Sequence, residues 1–231
     1  MKETIKVTLD QLANIINGQE CLFKFYENNA LKYANCLLET GCLHLSSLQK
    51  FRTAEGSDRD EMDGLILKRL KIGDYTIFEN GYVYDIHNTV LIKENDSDII
   101  YETEWLNNYI LCMSCHFQDS EVTANFQTIS IDDLKKCVEN HGKYVVVISK
   151  WMDFIKQLIK AQDKPCRLIA SKAVEYVHTR QLNIFSKRGN YAYEHEYRFA
   201  FDLTNEKSAS LNMSIGSIAD FSEIYEVVDI M

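Results

Sequence analysis

The sequence predicts an α+β fold: one domain over residues 1–231, with a mainly antiparallel or mixed sheet and several short flanking helices. Three observations lead there. Apolar residues recur at helical spacing in several short stretches and alternate or run continuously, as strands do, in many others. Some successive strands are joined by turn signals and others by helices, which favours α+β over a doubly wound parallel sheet. No Gly/Ser-rich or Pro-rich connector interrupts the chain, whose one proline is Pro165 and whose nine glycines are scattered. At 231 residues and 46% hydrophobic, the chain is long enough to bury a substantial core.

The elements follow in order. Thr8-Leu9-Asp10-Gln11 has the form of a capping box, and Leu9, Leu12, Ile15 and Ile16 continue at helical spacing until Gly18. Cys21 to Tyr26 reads as a strand, Asn29 to Thr40 as a helix ended by Gly41, and Leu43 to Ser47 as a second strand. A polar loop from Thr53 to Glu61 is too charged for a core and too long for a tight turn, which suits a lid. Tyr75 to Glu79 and Tyr82 to Ile86 flank Asn80-Gly81, the strongest short hairpin signal.

Ile99 to Glu102 and Tyr109 to Phe117 are further strands, and Ser130 caps a helix that reaches Gly142. Tyr144 to Ile148 is a buried strand, after which Ser149 caps a helix with an apolar stripe of Trp151, Phe154, Ile155, Leu158 and Ile159. Strand material follows from Arg167 to His178. Tyr191 to Leu203 reads as the longest strand, with Ala209 to Ile215 and Ile224 to Ile230 pairing with it or with each other.

Charge and composition narrow the function. A formal net charge of -9 argues against non-specific coating of nucleic acid, which needs a basic face. Lys68-Arg69-Leu70-Lys71 and Lys187-Arg188 are local basic patches. No apolar run approaches membrane-spanning length and Met1-Lys2-Glu3-Thr4 is not followed by a signal-peptide core, so a cytoplasmic location is expected. Seven cysteines, an odd count, then point to free thiols.

The run Tyr191-Ala192-Tyr193-Glu194-His195-Glu196-Tyr197-Arg198-Phe199-Ala200-Phe201 carries the most chemistry. Read as one strand, it places Tyr191, Tyr193, His195, Tyr197, Phe199 and Phe201 on one face and Glu194, Glu196 and Arg198 on the other. Carboxylates about 7 Å apart with a guanidinium beyond them suit a sugar hydroxyl or a developing oxocarbenium ion; the plainer reading is an exposed charged strip. On the strand from Cys21 to Tyr26, Lys24 and Tyr26 share a face and are candidate ligand contacts, or solvent-facing groups of an edge strand. Cys112 and Cys115 with Cys137 and His141 have zinc-ligand spacing, although an extended strand points Cys112 and Cys115 to opposite faces; no metal site is assigned.

Leu22-Phe23-Lys24-Phe25-Tyr26, a helix, Gly41, Leu43-His44-Leu45-Ser46-Ser47 and Phe51 together resemble the opening of the bacterial domain of unknown function 2971. Val174-Glu175-Tyr176, Phe185-Ser186-Lys187 and Tyr193-Glu194-His195-Glu196-Tyr197-Arg198 resemble its closing motif. More distantly the layout is similar to the ADP-ribosyltransferase fold. That resemblance implies NAD as co-substrate, with Glu196 as catalytic glutamate, Glu194 assisting the acceptor, Ser46 or Ser47 as the strand-end serine, and Lys24 where the fold carries Arg or His. A toxin or phage-defence effector would fit, with Lys24 or Arg198 on phosphate. Two alternatives stand beside it. One is a non-catalytic module binding a protein partner through the acidic loop from Glu55 to Asp63. The other is an RNA-cleaving enzyme using Lys187, Arg188 and His178 or His195.

Overall fold

The computed structural model describes residues 2–47, 109–117, 128–161, 166–177, 184–203 and 210–228, with five short strands between 66 and 102. The chain opens with β1 (Ile5–Val7), α1 (Leu9–Asn17), β2 (Cys21–Tyr26), α2 (Leu31–Thr40) and β3 (Cys42–Ser47). The short strands are β4 (Ile66–Lys68), β5 (Tyr75–Ile77), β6 (Tyr82–Asp85), β7 (Val90–Lys93) and β8 (Ile100–Glu102). Then come β9 (Tyr109–His116), α3 (Ile131–His141), β10 (Tyr144–Ile148), α4 (Trp151–Lys160), β11 (Cys166–Ala173), β12 (Glu175–Val177) and β13 (Ser186–Arg188). A 3-10 turn at Gly189–Glu194 precedes β14 (Glu196–Leu203), β15 (Ser210–Ser214) and, after a second 3-10 turn at Ala219–Phe221, β16 (Ser222–Val227).

The expected α+β class holds. One nine-stranded sheet runs β1-β16-β10-β2-β9-β14-β11, with β3 joining β9 and β15 joining β3. Its ladders are antiparallel except β1 with β16. Helices cover both faces. Ala34, Leu37 and Leu38 of α2 and Phe154 and Leu158 of α4 pack on one face with Leu111, Tyr197, Phe199 and Phe201. Leu12 and Ile16 of α1 and Leu134 and Val138 of α3 pack on the other with Phe23, Phe25, Val145 and Val147. Each strand's alternation therefore feeds two apolar layers, which explains the near-continuous hydrophobic runs of β2 and β10.

Local signals position these elements. Thr8 and Gln11 form the predicted capping box: Gln11 N–H donates to Thr8 Oγ1 (3.3 Å), and Thr8 N–H donates to Gln11 Oε1 (2.9 Å). Gly41 ends α2 at φ 62°, and a Cβ there would lie 2.2 Å from the Gly216 carbonyl oxygen, so only glycine fits the turn. Strands β5 and β6 pair antiparallel with Ile77 opposite Val83; the residues joining them, like the acidic loop from Thr53, lie outside the described residues.

Several expectations are corrected. Ser149 does not cap α4; its hydroxyl donates to the Phe221 carbonyl (3.1 Å), tying β10's end to the neighbouring turn, and Lys150 takes the cap position. Strand β15 pairs with β3, and β16 with β1 and β10, so neither end strand joins β14 or the other. The expected strand from Arg167 breaks at Val174, whose N–H donates to the Glu196 carbonyl before β12 departs to pair with β13. Strand β1, three residues long, carries too short a pattern to be read from sequence.

Candidate functional site

The run read as one strand from Tyr191 is divided. Gly189–Glu194 winds as a 3-10 turn, His195 adopts the left-handed conformation at φ 46°, and extended backbone begins at Glu196. Alternation therefore governs only Glu196 onward. Tyr197, Phe199 and Phe201 do face the core, whereas Tyr191, Tyr193 and His195 lie in the turn outside that strand row. Among described residues His195 is the one non-glycine with positive φ; the Ala192 carbonyl accepts its N–H, and its Nε2 lies 3.4 Å from Asp133 Oδ2 of α3.

The charged strip is buried. Glu196 is 5% exposed and Arg198 1%, because residues 184–194 fold back over this face of β14. Arg198 Nε donates to Glu196 Oε1 (2.7 Å), Nη2 to Glu196 Oε2 (3.2 Å) and Nη1 to the Ile184 carbonyl (2.8 Å). From β13, Lys187 Nζ reaches Glu194 Oε2 (2.6 Å) and Glu196 Oε2 (3.3 Å) and lies 4.6 Å from the Tyr191 ring centre. The backbone N–H of Glu196 donates to Tyr176 Oη (2.7 Å). Burial alone would raise the Glu196 carboxyl, but Arg198 and Lys187 outweigh it and hold it well below the usual carboxylate range. The same carboxylates overcome burial to raise Lys187. Glu196 and Lys187 thus stand as opposite fixed charges.

Sheet register sets Lys24 on the other face from this cluster, because Phe23 stands opposite Ser114, which stands opposite Glu196, and Lys24 shares the face of Leu22 and Tyr26. One edge of β9 pairs with β14 from Tyr109 to Ser114, while its other edge is shared: Tyr109 and Ile110 pair with β3, and Ser114 to His116 pair with β2. Strands β2 and β3 diverge between these contacts, leaving a fork opposite Cys112. Lys24, just past the last β2–β9 pair, donates into the fork to the Cys112 carbonyl (2.8 Å). Burial lowers its ammonium, while Cys112 and Glu196 act in the opposite direction. Burial, with the negative charge of Glu196 on the neighbouring strand, pushes the Cys112 thiol well above its ordinary range.

Register separates the two candidate serines. Ser46 stands opposite Ile110, which stands opposite Ala200, so Ser46 shares the face of Arg198 and Glu196. Ser47 stands opposite Tyr109 and belongs to the core face; both serines are buried. Lys24 and Tyr26 share a face of β2 as expected, but diverge: Tyr26 packs against the core beside Cys36 and Cys42, and burial raises its phenol. The structure therefore brings Lys187, Glu194, Glu196 and Arg198 together, puts Ser46 on the same face, and leaves Tyr26 and Ser47 on the other, from which Lys24 reaches the Cys112 carbonyl at the fork.

Helix α3 supports the turn before Glu196. Besides Asp133 with His195, Cys137 Sγ donates to the Tyr193 carbonyl (3.3 Å), Asn140 Nδ2 donates to Tyr193 Oη (3.2 Å), and His141 Nε2 lies 3.8 Å from Glu194 Oε1. Sequence reading missed this support and the approach of the Cys112 thiol to Glu196, because both arise from long-range pairing; Tyr176 was visible only as part of a motif. Cys112 packs beside Ile110 and Ala200, Cys115 on the opposite face, and Cys137 against Tyr193, so the four candidate zinc residues do not converge. Among described residues no group of three or more His, Cys, Asp and Glu is arranged to hold a metal ion. Arg188 is exposed while Lys187 points to the glutamates, and His178 lies outside the described residues. No described helix is long and apolar enough to cross a membrane. Comparison of the chain with family models, curated proteins and solved structures finds no match.

Proposed function

We propose that the chain is a nucleotide-using enzyme of ADP-ribosyltransferase type, similar to the bacterial domain of unknown function 2971 and acting with NAD as co-substrate in a toxin or phage-defence role. In this reading Glu196 is the fixed anion beside a ribosyl oxocarbenium-like transition state, Glu194 assists the acceptor, and Lys24, Lys187 and Arg198 serve the phosphates. The observation that carries the reading is the buried cluster of Glu194, Glu196, Lys187 and Arg198 with Ser46 on the same face, and the Lys24 ammonium held at the fork on the Cys112 carbonyl. Titration calorimetry with NAD, beside an assay of nicotinamide release, tests it. Binding with release that disappears in Glu196→Gln is the expected result; neither binding nor release refutes it.

A second reading is favoured by one specific observation. Glu196 and Arg198 are almost wholly buried and mutually hydrogen-bonded, as in an ionic lock that holds the 184–194 segment to the sheet. A non-catalytic module that binds a protein partner needs nothing more from these residues. In that case Glu196→Gln changes stability and leaves NAD without effect.

A further inference from the structure

The cationic side chains of this fold are partnered differently. Lys187 and Arg198 are buried against Glu194 and Glu196, while Lys143 and Lys156 hold Glu226 and Asp153 nearer the surface. Lys24 is half-buried and, among the described residues, forms no ion pair. Its Nζ donates to the Cys112 carbonyl (2.8 Å), a backbone oxygen that carries no net charge.

The strand pattern explains this isolation. On its face of β2 Lys24 stands between Leu22 and Tyr26, and its partner across the ladder on β10 is Val146. All three neighbours belong to the apolar layer that includes α2 and α4. Glu196 is on the opposite face and already engaged by Arg198 and Lys187. An ammonium carries three donors, and among the described residues only the Cys112 carbonyl accepts one; a neutral amine satisfies that carbonyl equally well and keeps a lone pair free. Burial favours the neutral amine, with Cys112 and Glu196 acting in the opposite direction.

We propose that Lys24 is a nucleophilic amine and that the fork between β2 and β3 is a binding site for a small aldehyde, held there as an imine. The nitrogen lone pair attacks the carbonyl carbon, the C=O electron pair moves to oxygen, and a proton passes from nitrogen to that oxygen to give a carbinolamine. Loss of the hydroxyl as water then forms the C=N bond. In sum, one amine and one aldehyde give one imine and one water, with no change of oxidation state. Once protonated, the imine keeps one N–H for the Cys112 carbonyl. An anion bound at the fork would restore the ammonium and silence the nucleophile, so the aldehyde-binding and phosphate-contacting states of Lys24 exclude each other.

The test is reductive alkylation of the full chain with limiting acetaldehyde and cyanoborohydride near neutral pH, which converts each imine to an ethyl-lysine. Lys6 and Lys32 are exposed and serve as internal references. Ethylation of Lys24 blocks tryptic cleavage there and returns Val7 to Lys32 as one peptide. Lys24 is expected to take the label several-fold faster than Lys6 or Lys32, an excess that shrinks as pH rises into the ordinary lysine range and disappears in denaturant. Lys24→Arg, which keeps a donor for the Cys112 carbonyl, gives no such peptide. Labelling of Lys24 no faster than the references, or only after unfolding, overturns the proposal. The assay needs no nucleotide, so its outcome is separate from that of the transferase reading.

Discussion

Replacing Arg198 by methionine tests whether the buried charges act as a unit. Methionine keeps much of the side-chain length but removes the guanidinium, which among the described residues donates twice to Glu196, at 2.7 and 3.2 Å, and once to the Ile184 carbonyl at 2.8 Å. Removing one partner of a buried ion pair costs about 3–5 kcal/mol, because the remaining charge keeps its desolvation penalty without its partner. Lys187 still touches Glu196 at 3.3 Å, so the lower end of that range is expected. For a chain of this size each kcal/mol corresponds to about 2–4 °C in Tm, giving a fall of roughly 6–12 °C at a loss of about 3 kcal/mol. Urea unfolding of wild type, Arg198→Met, Glu196→Leu and the double variant then closes a double-mutant cycle. The double variant should recover much of the loss, since an apolar pair carries no charge to bury. A single-variant loss below about 1 kcal/mol, or a double variant equal to the sum of the singles, refutes the account.

Acid stability gives an independent check on Glu196. Its folded carboxyl is depressed below the ordinary 4.5, so the stability it contributes is full above that value and is lost as pH falls toward the folded value; Glu196→Gln should flatten the dependence below about pH 4.5 in urea unfolding. His195 sits at φ 46°, a conformation that asparagine accepts and a β-branched residue resists. His195→Val should cost roughly 1–3 kcal/mol more than His195→Asn in the same assay, and equal losses would remove backbone conformation as the cause.

The elements formed by local chemistry were legible in the sequence: the Thr8 capping box, the Gly41 stop, and the alternation that gives β2 one face with Leu22 and another with Phe23. What failed depended on distant partners. The charged strip looked solvent-facing because nothing local reveals that residues 184–194 return to cover it. The turn before Glu196 was read as strand because Tyr191, Tyr193 and His195 continue the aromatic alternation; α3 instead captures that segment through Asp133, Cys137 and Asn140. Motif order groups Lys24 with Glu196 and Arg198, whereas the register sets Lys24 on the opposite face of the sheet. Their geometry depends on the division of β9's edge between β2 and β3, which no periodicity encodes.

The electrostatics restrict what Glu196 can do in either reading. A carboxylate held well below its usual range stays charged near neutrality, so Glu196 serves as a fixed anion and hydrogen-bond acceptor rather than as a proton donor. Arg198 shares its strand and is locked to it by two hydrogen bonds, whereas Lys187 arrives from the covering segment and approaches Glu194 more closely than Glu196, at 2.6 against 3.3 Å. On the transferase reading, a nucleotide diphosphate would compete with the carboxylates for Lys187 and leave Glu196 more negative as the ribosyl centre became positive. Binding would then weaken the hold on residues 184–194 and raise amide exchange there. On the ionic-lock reading the segment stays closed with or without nucleotide, because Lys187 has no role except to hold it.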